Sequence, residues 1–268
     1  MKEQPEIRAL VTGAAGGMGR ATCLELLRDA QRRGQTLHLA AAGTRRDGAL
    51  DQLVAELRAA GAVASAHVAD LSDPVACARL GEEAIRTCGG LDRLFSIAGI
   101  VRSASLTALD VADWDRVFDV DTRATWLLAR AVHPALARSR GSIIAVASVS
   151  AHSPFPGLGA YSPAKAALVM LCRQMAQEWA ADGIRVNSVS PGLIRTPLTE
   201  SLYANPQVLA NREAVVPLHR IGNVDDVARA IVQLAGPDFD YATGIDLKLD
   251  GGLCDRVLST VPGLPANK

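Results

Sequence analysis

The sequence of 268 residues has little of what usually assigns a function at sight. It has no charge excess, with 28 Lys and Arg against 28 Asp and Glu. A nucleic-acid binder usually carries a basic surplus and an acidic tail a negative one, so both classes are disfavoured. No run reaches the ~18 apolar residues of a membrane helix. The opening MKEQPEIRALVTG has no long apolar stretch before its first strand-like run, which argues against a secretory leader. The five cysteines (Cys23, Cys77, Cys88, Cys172, Cys254) are odd in number and form no CxxC pair, as expected of a reduced, cytoplasmic chain. The histidines lack metal-ligand spacing, so no metal is expected. Internal repeats and low-complexity segments are missing too. What is present is 49% hydrophobic and 21% charged, an ordinary globular composition that excludes global disorder.

The informative pattern is alternation. Short β-like runs (Ile7–Val11, Thr36–Ala41, Ala62–His67, Leu91–Ile97, Ser142–Ala147, Ile184–Ser190, Ile245–Leu249) are apolar almost throughout, as strands buried on both faces must be. Helical stretches lie between them: Gly17–Arg33, Gly48–Ala60, Asp73–Thr87, Val111–Ala137, Tyr161–Ala181 and Val224–Leu234. In the first, Met18, Ala21, Leu24 and Leu27 recur at helical steps. Asp73–Pro74 opens another with a cap residue and a first-turn proline. The alternation predicts an α/β fold, a doubly wound parallel sheet of about seven strands with helices on both faces. One domain over 1–268 is expected, with a core of about 5–255 and a tail over 256–268. Leu193–Pro217 is polar and poorly periodic, and reads as a mobile loop with a short helix.

The first chemical motif is Val11-Thr12-Gly13-Ala14-Ala15-Gly16-Gly17-Met18-Gly19, where a strand ends, a glycine turn follows and a helix begins. Gly13 permits the turn, Gly17 lets the backbone approach a pyrophosphate, and Gly19 lets helix and sheet pack closely. The helix N-terminus then offers free N–H groups to phosphate. Gly13, Ala15, Gly17, Met18 and Gly19 are therefore cofactor-binding candidates. An acid at the end of the second strand would select NAD by binding a ribose hydroxyl. Ala41 and Ala42 stand there instead, followed by Thr44, Arg45 and Arg46. Two guanidinium groups could pair with a 2′-phosphate, which favours NADP(H); if they are only a solvated loop pair, NAD(H) stays possible.

Tyr161 and Lys165 are four apart at the start of a helical stretch and share one face. An ammonium beside a phenol favours the phenolate, which suits proton transfer at working pH. Ser148, at a strand end, can bring its hydroxyl beside that phenol and steady a carbonyl or alkoxide oxygen.

With these residues in place, the chain resembles the short-chain dehydrogenase/reductase family over about residues 5–255. The motifs fall in the family's order. They are TGxxxGxG at Thr12–Gly19, Asp70-Leu71, Ala98-Gly99, Ser148, YxxxK at Tyr161–Lys165, Pro191-Gly192 and Asp250-Gly251-Gly252. The resemblance implies that Asp70 and Leu71 contact adenine, and that Ala98 and Gly99 line the adenosine ribose side. Lys165 would hold the nicotinamide ribose as well as influence Tyr161. Pro191, Gly192, Ile194 and Thr196 would seat the nicotinamide ring, and Tyr161 would exchange the proton while hydride moves between substrate and ring. It also implies a homo-oligomer, dimer or homotetramer, pairing through Val111–Ala137 and Tyr161–Ala181.

The chain departs from the family pattern twice. Ser96-Ile97-Ala98-Gly99 replaces the usual NNAG, and Ile97 cannot supply the amide that braces the central sheet. Asp121 stands where the family has a proton-relay asparagine; its carboxylate can pair with Lys165 but opposes phenolate formation. Asp121 joins Ser148, Tyr161 and Lys165 as a catalytic candidate.

Substrate candidates are Ser150, Phe155, Leu158, Leu193, Leu198 and Leu202, with Tyr203 beside them and His152 as a pocket-rim or solvated histidine. This largely apolar set suits a hydrophobic ketone or secondary alcohol as the small-molecule partner. Arg102 and Arg195 keep an acyl thioester open. An NAD-linked dehydrogenase of a hydroxysteroid or dihydrodiol, and a catalytically silent cofactor-binding scaffold, are the other readings. Neither nucleic acid nor membrane is expected as a partner.

Overall fold

The computed structural model describes residues 5–46, 48–197 and 199–256. Leu198 and all of the predicted tail except Arg256 lie outside them. The strands are β1 (Glu6–Thr12), β2 (Thr36–Gly43), β3 (Val63–Val68), β4 (Arg93–Ser96), β5 (Ser142–Val146), β6 (Arg185–Pro191), β7 (Ile194–Arg195), β8 (Gly222–Asn223) and β9 (Asp246–Leu249). The helices are α1 (Gly17–Arg32), α2 (Gly48–Ala59), α3 (Pro74–Cys88), α4 (Val111–Phe118), α5 (Ala124–Ser139), α6 (Tyr161–Trp179), α7 (Glu200–Tyr203), α8 (Pro206–Val215) and α9 (Val224–Ala235).

Seven strands form one sheet in the order β3-β2-β1-β4-β5-β6-β9, and every pairing is parallel. Successive residues of a strand point to opposite faces, and both faces are covered. Leu10, Leu94, Ile143 and Val186 pack with α3, α5 and α6. Ala9, Val11, Phe95, Ile144 and Val189 pack with α1, α2 and α9. Full burial of each Leu, Ile or Val stabilises by about 1.5–3 kcal/mol, so the two layers carry the fold. Chain order reverses across β1, which pairs with β2 on one side and β4 on the other. In open α/β sheets such a switch point leaves a crevice beyond the carboxyl ends of the strands.

The predicted elements recur with small shifts. The Asp73 side chain accepts from Val75 N at 2.9 Å and Pro74 follows it, so that predicted start holds. Two differences bear on the site. The single helix expected over Val111–Ala137 contains a π-turn at Asp119–Arg123. Thr122 Oγ1 donates to Ala164 O at 2.8 Å and Asp121 Oδ1 accepts from Ile100 N at 2.8 Å, so the widened turn is held from two sides. The stretch Leu193–Pro217, expected as a loop with one short helix, holds α7, the ten-residue α8 and strand β7 paired to β8. Asn205 caps α8 by accepting from Gln207 N and Val208 N, with Pro206 at its first turn. Between these end signals α8 has no buried face, so its extent leaves no apolar stripe in the sequence.

Candidate active site

The glycine turn joins β1 to α1 at the switch point. Gly13 has φ +65°, and a Cβ there would sit 3.0 Å from the backbone of Ala98. A Cβ on Gly17 would lie 2.7 Å from Pro197 Cδ, and one on Gly19 would overlap the carbonyl of Gly13. The turn is thus closed to side chains. Gly16 precedes α1 with no side-chain cap, which leaves the N–H groups of its first turn to whatever lies beyond. What lies beyond is a cavity of about 650 Å³ along the carboxyl ends of β1 to β4. Gly13, Ala15, Gly17, Met18, Gly19, Thr44, Arg45, Asp70, Leu71, Ala98, Gly99 and Thr196 all line it. A side-chain-free turn, an uncapped helix start and a cavity of this size fit a dinucleotide.

Arg46 is the exception among the phosphate candidates. Its guanidinium turns to Asp51 at 3.1 Å, and it is not part of the cavity wall. Thr44 and Arg45 do line it. Asp70 is held by Ser72 N at 3.0 Å, Ser72 Oγ at 2.8 Å and Arg116 Nη2 at 3.1 Å to both oxygens. The Ser72 amide above all, then its hydroxyl and Arg116, keep the Asp70 carboxyl below its ordinary value. Arg116, on α4, also lines the cavity and was missed in the sequence, where nothing in its spacing ties it to Asp70.

The bracing that Ile97 cannot give comes from elsewhere. Thr12 Oγ1 accepts from Ile97 N at 3.1 Å and Ala98 N at 3.2 Å, and Ser96 Oγ meets Thr125 Oγ1 at 2.8 Å. The central crossover is therefore fastened by hydroxyls.

Tyr161 opens α6, and Lys165 lies one turn further on, only 2% exposed. The Lys165 Nζ donates to Val146 O at 2.9 Å, stands 3.3 Å from Asp121 Oδ2 and lies 5.7 Å from the centroid of the Tyr161 ring. Burial pushes the lysine down, but the charges of Asp121 and Tyr161 outweigh it and hold its value above the ordinary one. Asp121 is itself buried, and its Oδ2 takes no hydrogen bond. A Cβ on Gly99 would come within 3.2 Å of both Lys165 Nζ and Asp121 Oδ2, so this buried pair borders the cavity wall. Ser148 caps the short turn Val149–Ala151 by accepting from Ser150 N at 3.1 Å, and its own hydroxyl proton is left to donate.

The substrate candidates divide. Phe155 is 55% exposed and Leu202 on α7 is also exposed, while Leu158 is half-buried and bridges to Ala104. Ser150 is buried. Leu193 and Ile194 line a different cavity of about 860 Å³, bounded by Val216, Leu218 and Lys248. Of the ring-seating residues, Thr196 lies on the first cavity's wall. Pro191 ends β6, and Gly192 N donates to Leu249 O at 2.9 Å. Tyr203 is buried between the guanidinium groups of Arg195 and Arg212, each 5.6 Å from its ring centroid, and braces its segment. His152 is exposed, and its side chain pairs with Asp246 at 2.7 Å. Arg102 pairs with Asp113 at 3.2 Å and Arg195 with Glu200 at 3.6 Å.

Among the described residues no helix is long and apolar enough to cross a membrane. A sequence model of the family described as Enoyl-(Acyl carrier protein) reductase matches residues 13–254. Dehydrogenase/reductase SDR family member 4 of Bos taurus is 34% identical over 91% of this chain and 86% of its own. The 3-oxoacyl-[acyl-carrier-protein] reductase FabG of Thermotoga maritima is 34% identical over 91% of this chain and 96% of its own. The Pseudomonas aeruginosa RhlG/NADP active-site complex superposes with a TM-score of 0.84 at 29% identity, covering 92% of this chain and 96% of that one.

Proposed function

The chain belongs to the short-chain dehydrogenase/reductase family, and from that premise we propose that it interconverts a hydrophobic ketone and its secondary alcohol with NADP(H). The observation that carries the reading is the buried Lys165–Asp121 pair one turn below Tyr161, set against the wall of a cavity that fits a dinucleotide. The bound nicotinamide would supply or accept hydride; proton transfer and charge are left to the protein.

Ser148 donates its hydroxyl to the substrate oxygen while its own oxygen stays engaged by Ser150 N. Tyr161 gives the proton in reduction and takes it in oxidation. Lys165 stays charged because Asp121 offsets the cost of its burial, and that ammonium favours the ionised phenol. The carbonyl of Val146 fixes its direction. Gly13–Gly19 hold the pyrophosphate, Asp70 with Arg116 the adenine end, Arg45 and Thr44 the 2′-phosphate, and Thr196 the carboxamide.

The exposed apolar groups Phe155 and Leu202 favour an apolar substrate. Arg102 and Arg195 are already paired with acids, which favours a neutral ketone over a thioester on an acidic carrier. Self-association belongs to the same reading, supported by exposed Trp126 on α5 and Met170 on α6; a monomer in light scattering would remove it.

The test is a fluorescence titration with NADPH and NADH, then a screen of prochiral ketones followed by loss of NADPH absorbance. Tighter NADPH binding and turnover abolished by Tyr161→Phe support the proposal. Tighter NADH binding would overturn the cofactor, and turnover surviving in Tyr161→Phe would overturn the mechanism.

A further inference from the structure

Asp246, the first residue of β9, is an acid that the proton-transfer set does not use. Its side chain is 2% exposed and carries a full set of donors. Ser188 Oγ donates to Oδ1 at 2.5 Å, and Ser190 Oγ to Oδ1 at 3.0 Å and Oδ2 at 2.9 Å. His152 Nε2 reaches Oδ2 at 2.7 Å. A carboxylate taken out of water is tolerated only when such donors replace its hydration.

The donors come from two parts of the site. Ser188 and Ser190 lie on β6, which runs straight into Pro191 and Gly192, and Ser188 stands opposite Asp246 in the β6–β9 register. His152 lies just past the turn that begins at Ser148. The sheet ladder reaches Ala147, whose N–H donates to Val189 O at 2.8 Å. Past that point the backbone bonds of the turn close on themselves, Ala151 N to Ser148 O and His152 N to Val149 O, each at 2.9 Å. The side chain of His152 then ties the turn back to the strand pair.

We propose that His152 and Asp246 are positioning residues. They lock the turn carrying Ser148 against the strand that leads to the nicotinamide loop, and so fix the group that holds the substrate oxygen relative to the ring. This rests on the function proposed above. Because the Asp246 carboxylate can only accept, the imidazole donates to it through Nε2. The consequence of the lock is facial selectivity: a looser turn lets the carbonyl present either face and misplaces it by the fraction of an ångström that costs rate.

Three variants of the full chain test this: His152→Leu, His152→Gln and Asp246→Asn. The readouts are kcat and product enantiomeric excess on a ketone the parent reduces, NADPH affinity, and amide hydrogen exchange over residues 147–153. His152→Leu is expected to lose about tenfold or more in kcat, lower the enantiomeric excess and speed exchange in that segment, with NADPH affinity within about twofold. His152→Gln keeps a side-chain N–H and is expected to recover most of each. Asp246→Asn should fall between them, and it decides the matter if the leucine variant does not fold. Unchanged enantiomeric excess and exchange in His152→Leu would overturn the lock. A glutamine variant as poor as leucine would also overturn it, since the imidazole would then act by more than donation. If the parent reduces no ketone, the proposed function fails, but the exchange rates still decide whether the lock exists.

Discussion

The glycine turn Gly13–Gly19 and the Tyr161–Lys165 turn border the same cleft and are built from different materials. The first works by omission. The groups we assign to phosphate are backbone N–H groups, left without a side-chain cap at Gly16 in a turn where a Cβ at Gly17 or Gly19 would collide with Pro197 or Gly13. The side chains beside it, Arg45, Asp70 and Arg116, are largely exposed, where an ion pair contributes little. The second works by burial. Lys165 is 2% exposed, so its charge has to be answered on the spot by Asp121 and Val146 O. A site made of backbone tolerates side-chain change around it; a site made of buried charge couples every neighbour to the chemistry.

The hardest test of the buried end is Tyr161→Phe. It should cost about 10²–10⁴-fold in kcat with NADPH affinity little changed, because only the proton donor is lost. Assays of turnover and binding on the same preparation check this, and a matching loss of NADPH binding would erase the contrast. Next is Gly19→Ala at the other end. The added carbon meets the Gly13 carbonyl, which is main chain and cannot swing aside, so the turn must shift. We expect destabilisation of about 1–3 kcal/mol and loss of tight NADPH binding, read by thermal melting and titration.

Asp121→Asn sharpens the comparison on charge. One negative charge near the proton-transfer group disappears, so the pH–rate profile is expected to move to lower pH. Stability should fall too. The value of Lys165 is raised in the folded chain, so its contribution is complete below the ordinary lysine value of 10.5 and is lost as pH rises through the raised value. Without Asp121 burial pulls that value below the ordinary one, so the variant is expected to lose stability where Lys165 is charged and to recover part of it as pH rises through the lowered value, where the parent declines. An unchanged profile and an unchanged alkaline melting curve would show that the pair is inert.

The exposed end should give smaller numbers. Arg45→Ala is expected to weaken NADPH by about tenfold and NADH hardly at all, if its guanidinium meets the 2′-phosphate. Arg116→Gln should weaken both cofactors equally and by no more than about fivefold, as suits an exposed pair with Asp70. A selective loss of NADPH in the second variant would move the phosphate site from Arg45 to Arg116.

Much of this was legible in one dimension where a local rule applies. Strand runs such as Ile143–Val146 are apolar because both faces of the sheet are covered, and Asp73-Pro74 marks a helix start by its own geometry. Helix α8 was passed over because its caps are clear but it has no buried face, and periodicity reads only burial. Arg45 and Arg46 look alike as sequence neighbours, yet only Arg45 lines the cavity, while Arg46 turns to Asp51 five residues on. His152 reads as a rim or solvated histidine because its partner, Asp246, is 94 residues away and leaves no local signal.

The sequence by itself marked the strand runs, the glycine turn and the Tyr161–Lys165 spacing, because each rests on residues within one element or one turn. Only the tertiary structure decided the widened helical turn that carries the expected Asp121 to Lys165, and the meetings of Arg116 with Asp70 across 46 residues and of Asp246 with His152 and two serines. The reason is physical. Local geometry follows from sterics between near neighbours. The state of a buried charge depends on every group the fold brings within a few ångströms, and that set is fixed only when the strands have their order.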